Sequence, residues 1–99
     1  MSAAPHAADA LVAARDCEIR NLRGLHARAA AKFVKLAGAH KAAIQVTKGG
    51  TTVSGLSIMG LMMLAAGKGC TVTVSAEGED AIAAVDQIAA LIAAKFDEE

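Results

Sequence analysis

The chain reads as one α+β domain, a four-stranded, mostly antiparallel sheet with three helices on one of its faces. Three observations predict this. The spacing of apolar residues switches between strand and helix periods in the order β-α-β-β-α-β-α. A Gly49–Gly50 pair joins the second and third strands as a hairpin, whereas a helix separates the first strand from the second. That combination suits a split β-α-β arrangement. The alternate strand positions are polar, Glu18 and Arg20 in one strand and Gln45 and Thr47 in another, so one sheet face stays open to water.

Residues 1–14 are alanine-rich, contain the only proline, Pro5, and lack an apolar stripe. They read as a loosely ordered arm, which leaves 15–99 as the folded domain. His6 lies in the arm without evident partners. From Asp16 to Leu22, Cys17 and Ile19 alternate with Glu18 and Arg20, the pattern of a half-buried strand. After Gly24 the period changes. Ala30, Phe33, Val34 and Ala37 form the core face of a helix, which Gly38 stops. His40 follows beside Lys41 as a solvated turn residue. In "AAIQVTKGGTTVSG", Ile44 and Val46 alternate with Gln45 and Thr47 around the glycine turn.

"LSIMGLMML" is a short helix with Ser57 as its N-cap, Leu61 and Leu64 facing inward, and Met59 and Met62 outward. "CTVTVSA" is the last strand. "GEDAIAAVDQIAALIAAKF" is the longest helix, with Ile82, Val85, Ile88 or Ala89, and Ile92 on its inner face. Glu79 and Asp80 sit at its start, where the helix dipole favours acids.

Ninety-nine residues suffice for one modest core. Twenty-five are alanine, Trp and Tyr are missing, and Phe33 and Phe96 are the only aromatics. The core must therefore be built mainly from Ile, Val, Leu and Met. Net charge is zero but segregated: Arg15–Lys68 holds nine basic residues against Asp16 and Glu18, and Glu77 onward holds seven acids against Lys95. A basic working face for an acidic protein partner follows. Nucleic acid is disfavoured, since no aromatic platform accompanies the charge. The apolar run "LSIMGLMMLAA" is far shorter than the roughly 18 residues of a membrane helix. Cys17 and Cys70 do not form a metal-type pair, and neither a metal nor a cofactor is expected. A soluble cytoplasmic monomer with reduced thiols is the expectation.

The stretch "NLRGLHARAAAKF" holds the residue that packing does not require. If the helix begins near Ala27, His26 is its N-cap, beside backbone N–H groups of Ala27, Arg28 and Ala29 that have no internal acceptor. Those donors and the positive end of the dipole make a site for a phosphoryl group. The same field disfavours an imidazolium and favours a neutral, nucleophilic ring. Gly24 permits a tight turn and keeps bulk from the imidazole. Arg28 offers a planar fork to phosphate oxygens. Arg28, Lys32 and Lys35 form a basic stripe, which an ordinary solvated helix side would also explain.

"GLHARAAAKFV" together with "SGLSIMGLMML" resembles the HPr family, the phosphohistidine carriers of the bacterial phosphotransferase system, over roughly residues 16–96. The resemblance implies an open-faced β-sandwich. It implies that His26 accepts phosphate on Nδ1 from Enzyme I and hands it to a histidine of an EIIA-type acceptor, with Arg28 stabilising the group. The family mostly has proline after the arginine. Ala29 stands there instead, fits a first helical turn, and leaves open whether the branch is sugar uptake or nitrogen-related regulation.

In the family the serine before IMG, here Ser57, can be phosphorylated by an HPr kinase/phosphorylase, although a capping serine needs no such role. The same short helix docks partners in the family, which implies an exposed surface of Ile58, Met59 and Met62 beside Lys32 and Lys35. Two other readings stay open. One is a regulatory binding module controlled through Ser57. The other is an acylphosphatase-like hydrolase, which would need a water-positioning group such as Asn21.

Overall fold

The structure, a computed structural model, describes residues 11–98. Strand β1 spans Val12–Glu18, helix α1 Ala27–Ala37, β2 Ala43–Lys48, β3 Thr51–Ser54, α2 Ile58–Met63, β4 Thr71–Glu77 and α3 Ala81–Ala93. A short turn at Lys95–Asp97 follows. The strands lie in the order β1-β4-β2-β3, and every pairing is antiparallel. This is the expected open-faced sandwich.

Alternation decides which sheet face is covered. Val46 stands between Val53 on β3 and Val74 on β4, while Cys17 faces Val72. Cys17, Ile44, Val46, Val72 and Val74 join Phe33 of α1 and Ala84, Val85 and Ile88 of α3 in the core. Burial pushes the Cys17 thiol up, outweighing nearby Arg15, as suits a packing residue. On the opposite face, Thr73 donates to Asp16 at 2.7 Å, and the Thr47 and Thr52 hydroxyls are 2.8 Å apart.

Several expectations need correction. The first strand begins at Val12, so residues 12–14 are not part of a loose arm. They pair with Ser75–Glu77 through backbone, which alanine-rich sequence does not advertise. Pro5 and His6 lie outside the described residues. Helix α1 ends as expected at Gly38, but with φ −68, so that glycine's left-handed freedom is unused. Ile82 is 59% exposed, because the inner stripe of α3 starts one residue earlier and runs through Ala81, Ala84, Val85, Ile88 and Ile92.

His40 is not a solvated turn residue. Its Nδ1 lies 3.2 Å from Asp80 Oδ2 and its Nε2 3.1 Å from Gln87 Oε1. Asp80 also accepts the backbone N–H groups of Lys41 and Ala42, tying the start of α3 to the loop before β2. The Lys41 N–H bond, aided by those from Ala42 and His40, holds the Asp80 carboxyl below its ordinary range despite some desolvation. A lowered carboxyl pKa contributes stability above the unfolded value. That contribution is lost as pH falls below about 4 through the folded value. Urea melts should show the stability gap between wild type and Asp80→Ala narrowing over that window; an unchanged gap would show that the ties carry no linkage.

Helix α3 stops at Ala93, short of the expected Phe96. Lys95, Phe96 and Asp97 take φ of 60, 54 and 61, three left-handed residues without a glycine. Each costs about 1–2 kcal/mol. Phe96 is fully buried, which offsets about 3 kcal/mol. Lys32 Nζ donates to the Phe96 carbonyl at 2.6 Å, a charged hydrogen bond of about 1.5–3 kcal/mol. The two contributions roughly balance the turn's cost.

Candidate functional site

Gly24 builds the site. Its φ is +65, and a Cβ there would stand 2.3 Å from the Ala66 carbonyl oxygen and 2.8 Å from the Gly67 Cα. The glycine is therefore needed for the close approach of the α2–β4 loop, not to keep bulk from the imidazole. Leu25 N–H donates to that same Ala66 oxygen at 2.9 Å, fixing the chain as it enters α1.

His26 is the N-cap, with extended backbone and no capping hydrogen bond from its side chain. Its carbonyl accepts Ala30 N–H at 2.8 Å, so helical bonding begins immediately after it. The amides of Ala27, Arg28 and Ala29 precede that first bond and have no acceptor within the helix. Ala29 is fully buried in the first turn, while Arg28 reaches solvent.

The imidazole is 15% exposed, neither sealed in the core nor free in water. It lines a cleft of about 370 Å³ with Arg23, Arg28, Lys32, Asp97 and Glu98. His26 Nε2 is hydrogen-bonded to the Glu98 carboxylate. Partial burial pushes the Glu98 carboxyl up. Hydrogen bonds from His26 and Asn21, with the charges of His26 and Lys32, overcome this and hold it below the ordinary range.

Among the sequence-predicted residues, His26, Arg28 and Lys32 share this cleft, but the Lys32 ammonium is committed to the Phe96 carbonyl. Lys35 lies along a neighbouring groove with Leu36 and Leu91. Met62 lines a second hollow beside His26, with Leu25 and Ala66. Ile58, Met59 and Met62 are 39%, 71% and 43% exposed, whereas Leu61 and Leu64 are buried as expected.

Ser57 lies outside the cleft and caps α2, its Oγ accepting Gly60 N–H at 2.9 Å. Ser57→Ala should cost about 1 kcal/mol in a denaturant melt; a loss near zero would mean the cap is dispensable. Asn21, the candidate for positioning water in a hydrolase, is fully buried outside any strand. Its Nδ2 donates to Gly24 O at 2.8 Å and to Glu98 Oε1 at 3.1 Å. Arg23, Asp97 and Glu98 were missed by sequence reasoning. An acid-rich segment after the last helix was the only signal for the carboxylates.

One partly exposed imidazole at a helix start, with Arg23 and Arg28 lining its cleft and the Glu98 carboxylate on its Nε2, is an arrangement that suits a small carrier of an anionic group. Residues 13–94 match the family described as "PTS HPr component phosphorylation site". The chain is 49% identical over 84 residues to phosphocarrier protein HPr of Cupriavidus necator, covering 85% of this chain and 94% of the relative. It is 48% identical over 84 residues to phosphocarrier protein NPr of Shewanella violacea, covering 85% and 92%. Among solved structures, HPr-C-His from Thermoanaerobacter tengcongensis superposes with a TM-score of 0.84 at 42% identity, covering 88% of this chain and 98% of that one. The chain belongs to the HPr family of phosphocarriers of the phosphotransferase system.

Proposed function

We propose that the chain accepts a phosphoryl group on His26 Nδ1 from Enzyme I and passes it to a histidine of an EIIA-type acceptor. The observation that carries this reading is the His26 ring, mostly buried but open on one side, at the N-cap of α1 beside three amides that need an acceptor. The Nδ1 lone pair attacks phosphorus in line. An Nδ1–P bond forms as the donor's bond to phosphorus breaks, and that electron pair returns to the donor. The Arg28 fork and the Ala27, Arg28 and Ala29 amides balance charge on the transferring oxygens. The reverse steps deliver the group to the acceptor.

Lys35 and the exposed Ile58, Met59 and Met62 form the docking surface, with Lys32 on its border. Such docking is weak and polar-rimmed, because each partner must leave quickly. The direct test incubates the chain with Enzyme I and labelled phosphoenolpyruvate. An acid-labile, base-stable label mapping to His26 is expected; a label at any other residue overturns the assignment.

Near-equal identity to an HPr and an NPr supports both the sugar and the nitrogen-related branch as sources of partners. Label transfer to acceptors of each kind separates them. Phosphorylation of Ser57 by an HPr kinase/phosphorylase is the regulatory part of the reading. A phosphate there would place nearly two negative charges beside the docking surface. Ser57→Asp should weaken Enzyme I affinity, and unchanged affinity would remove that control.

A further inference from the structure

The buried end of the site holds a chain of polar groups that His26 and Arg28 do not account for. Asn21 is fully buried, and its Nδ2 is held between the Gly24 carbonyl and Glu98 Oε1. Both neighbours are acceptors, so the amide must present its NH₂ group to them. The other end of the amide, Oδ1, is buried without a partner among the described residues. Leaving an acceptor unsatisfied to aim two donors this way is a cost that the local turn alone does not need. Glu98 uses its remaining oxygen on His26 Nε2. Its backbone is delivered there by the left-handed turn, anchored through buried Phe96 and the Lys32 hydrogen bond.

We propose that Glu98, aimed by Asn21, is a positioning residue for phosphoryl transfer. Its carboxylate keeps the proton on Nε2, reserves the Nδ1 lone pair for phosphorus, and balances the positive charge of the phosphorylated ring. The inference rests on His26 being the phosphoryl acceptor. The proton balance is simple. The attacking form of the ring is neutral and carries one proton, on Nε2 and shared with Glu98. Attack by Nδ1 adds the phosphoryl group without removing that proton, so the ring becomes cationic. Glu98 lies at the ring edge opposite Nδ1, where the charge is met without the carboxylate confronting the phosphate. A cationic ring is also the better leaving group when the next histidine attacks, so the contact assists both halves of the relay. Glu98 acts through His26 and does not touch the phosphoryl group.

The test compares the full chain with Glu98→Ala and Glu98→Gln. It combines single-turnover phosphorylation by Enzyme I with nitrogen-15 and proton spectra of the His26 ring. In wild type the Nε2 proton should be protected from exchange and shifted downfield by the carboxylate. In Glu98→Ala that signal should be lost to solvent exchange and acceptance should slow about tenfold, the scale of one charged hydrogen bond. Glu98→Gln, which retains an acceptor oxygen but not the charge, should keep a protected proton and recover part of the rate. A purely structural role for Glu98 would not produce that ordering. If wild type takes up phosphate on His26 while Glu98→Ala keeps both the rate and the Nε2 signal, the positioning role is overturned and the carrier reading stands. If wild type takes up no phosphate on His26, the carrier reading itself falls, and this inference with it.

Discussion

His26→Ala is expected to reduce phosphoryl uptake from Enzyme I to background while the domain stays folded. No other described group offers the same chemistry at the helix start. Arg28 and Lys32 are cations that bind phosphate without accepting it at neutral pH, and the Lys32 ammonium is already bonded to Phe96. His40 cannot substitute, because both its ring nitrogens are engaged by Asp80 and Gln87 at the far end of α3. The ring of His26 lies outside the apolar core and contributes no cap bond. Its removal should therefore cost about 1.5–3 kcal/mol, the scale of its charged hydrogen bond to Glu98. Labelling with phosphoenolpyruvate and a parallel urea melt separate the two effects. A persistent label in the folded variant would end the assignment.

The second large effect is on stability. Gly24→Ala should lower it by about 2–4 kcal/mol, with the urea midpoint falling at an unchanged slope. Two costs combine: φ of +65 is unfavourable for alanine, and the new methyl would meet backbone atoms of Ala66 and Gly67. Neither obstacle is a flexible side-chain end, so the turn or the α2–β4 loop must shift. Gly49→Ala supplies the comparison. Its φ of +61 is nearly the same, yet a Cβ there meets nothing within 4 Å. That variant should lose only about 1 kcal/mol. Equal losses in the two would show that the close approach is unimportant. A larger loss at Gly24, together with slower phosphorylation, would show that the turn holds the histidine in place.

Most of the fold was legible because it is written in local periods. The Ile44/Val46 alternation and the Gly49–Gly50 turn specify the hairpin. The spacing of Ala30, Phe33 and Ala37 specifies the buried face of α1. His26 and Arg28 stood out because a glycine-led helix start has a known chemistry.

Other features depend on contacts between distant parts of the chain. Glu98 reaches His26 across 72 positions, and His40 meets Asp80 across 40. Neither leaves a mark in local spacing. The end of α3 was actively misleading. Phe96 follows Ile92 by four residues, as the next inward position of a helix would. The chain instead reverses through left-handed backbone, buries the same ring, and brings Glu98 over the site. Val12–Ala14 were missed because alanine carries little strand signal, and β4 supplies the pairing.

Both phenylalanines lie in the interior, and the chain contains neither tryptophan nor tyrosine. The protein is therefore almost dark in the near ultraviolet. Fluorescence from a tryptophan-bearing partner can be followed through each handover without a competing signal. A single tryptophan introduced at exposed Met59 would report contact at the short helix against an empty background.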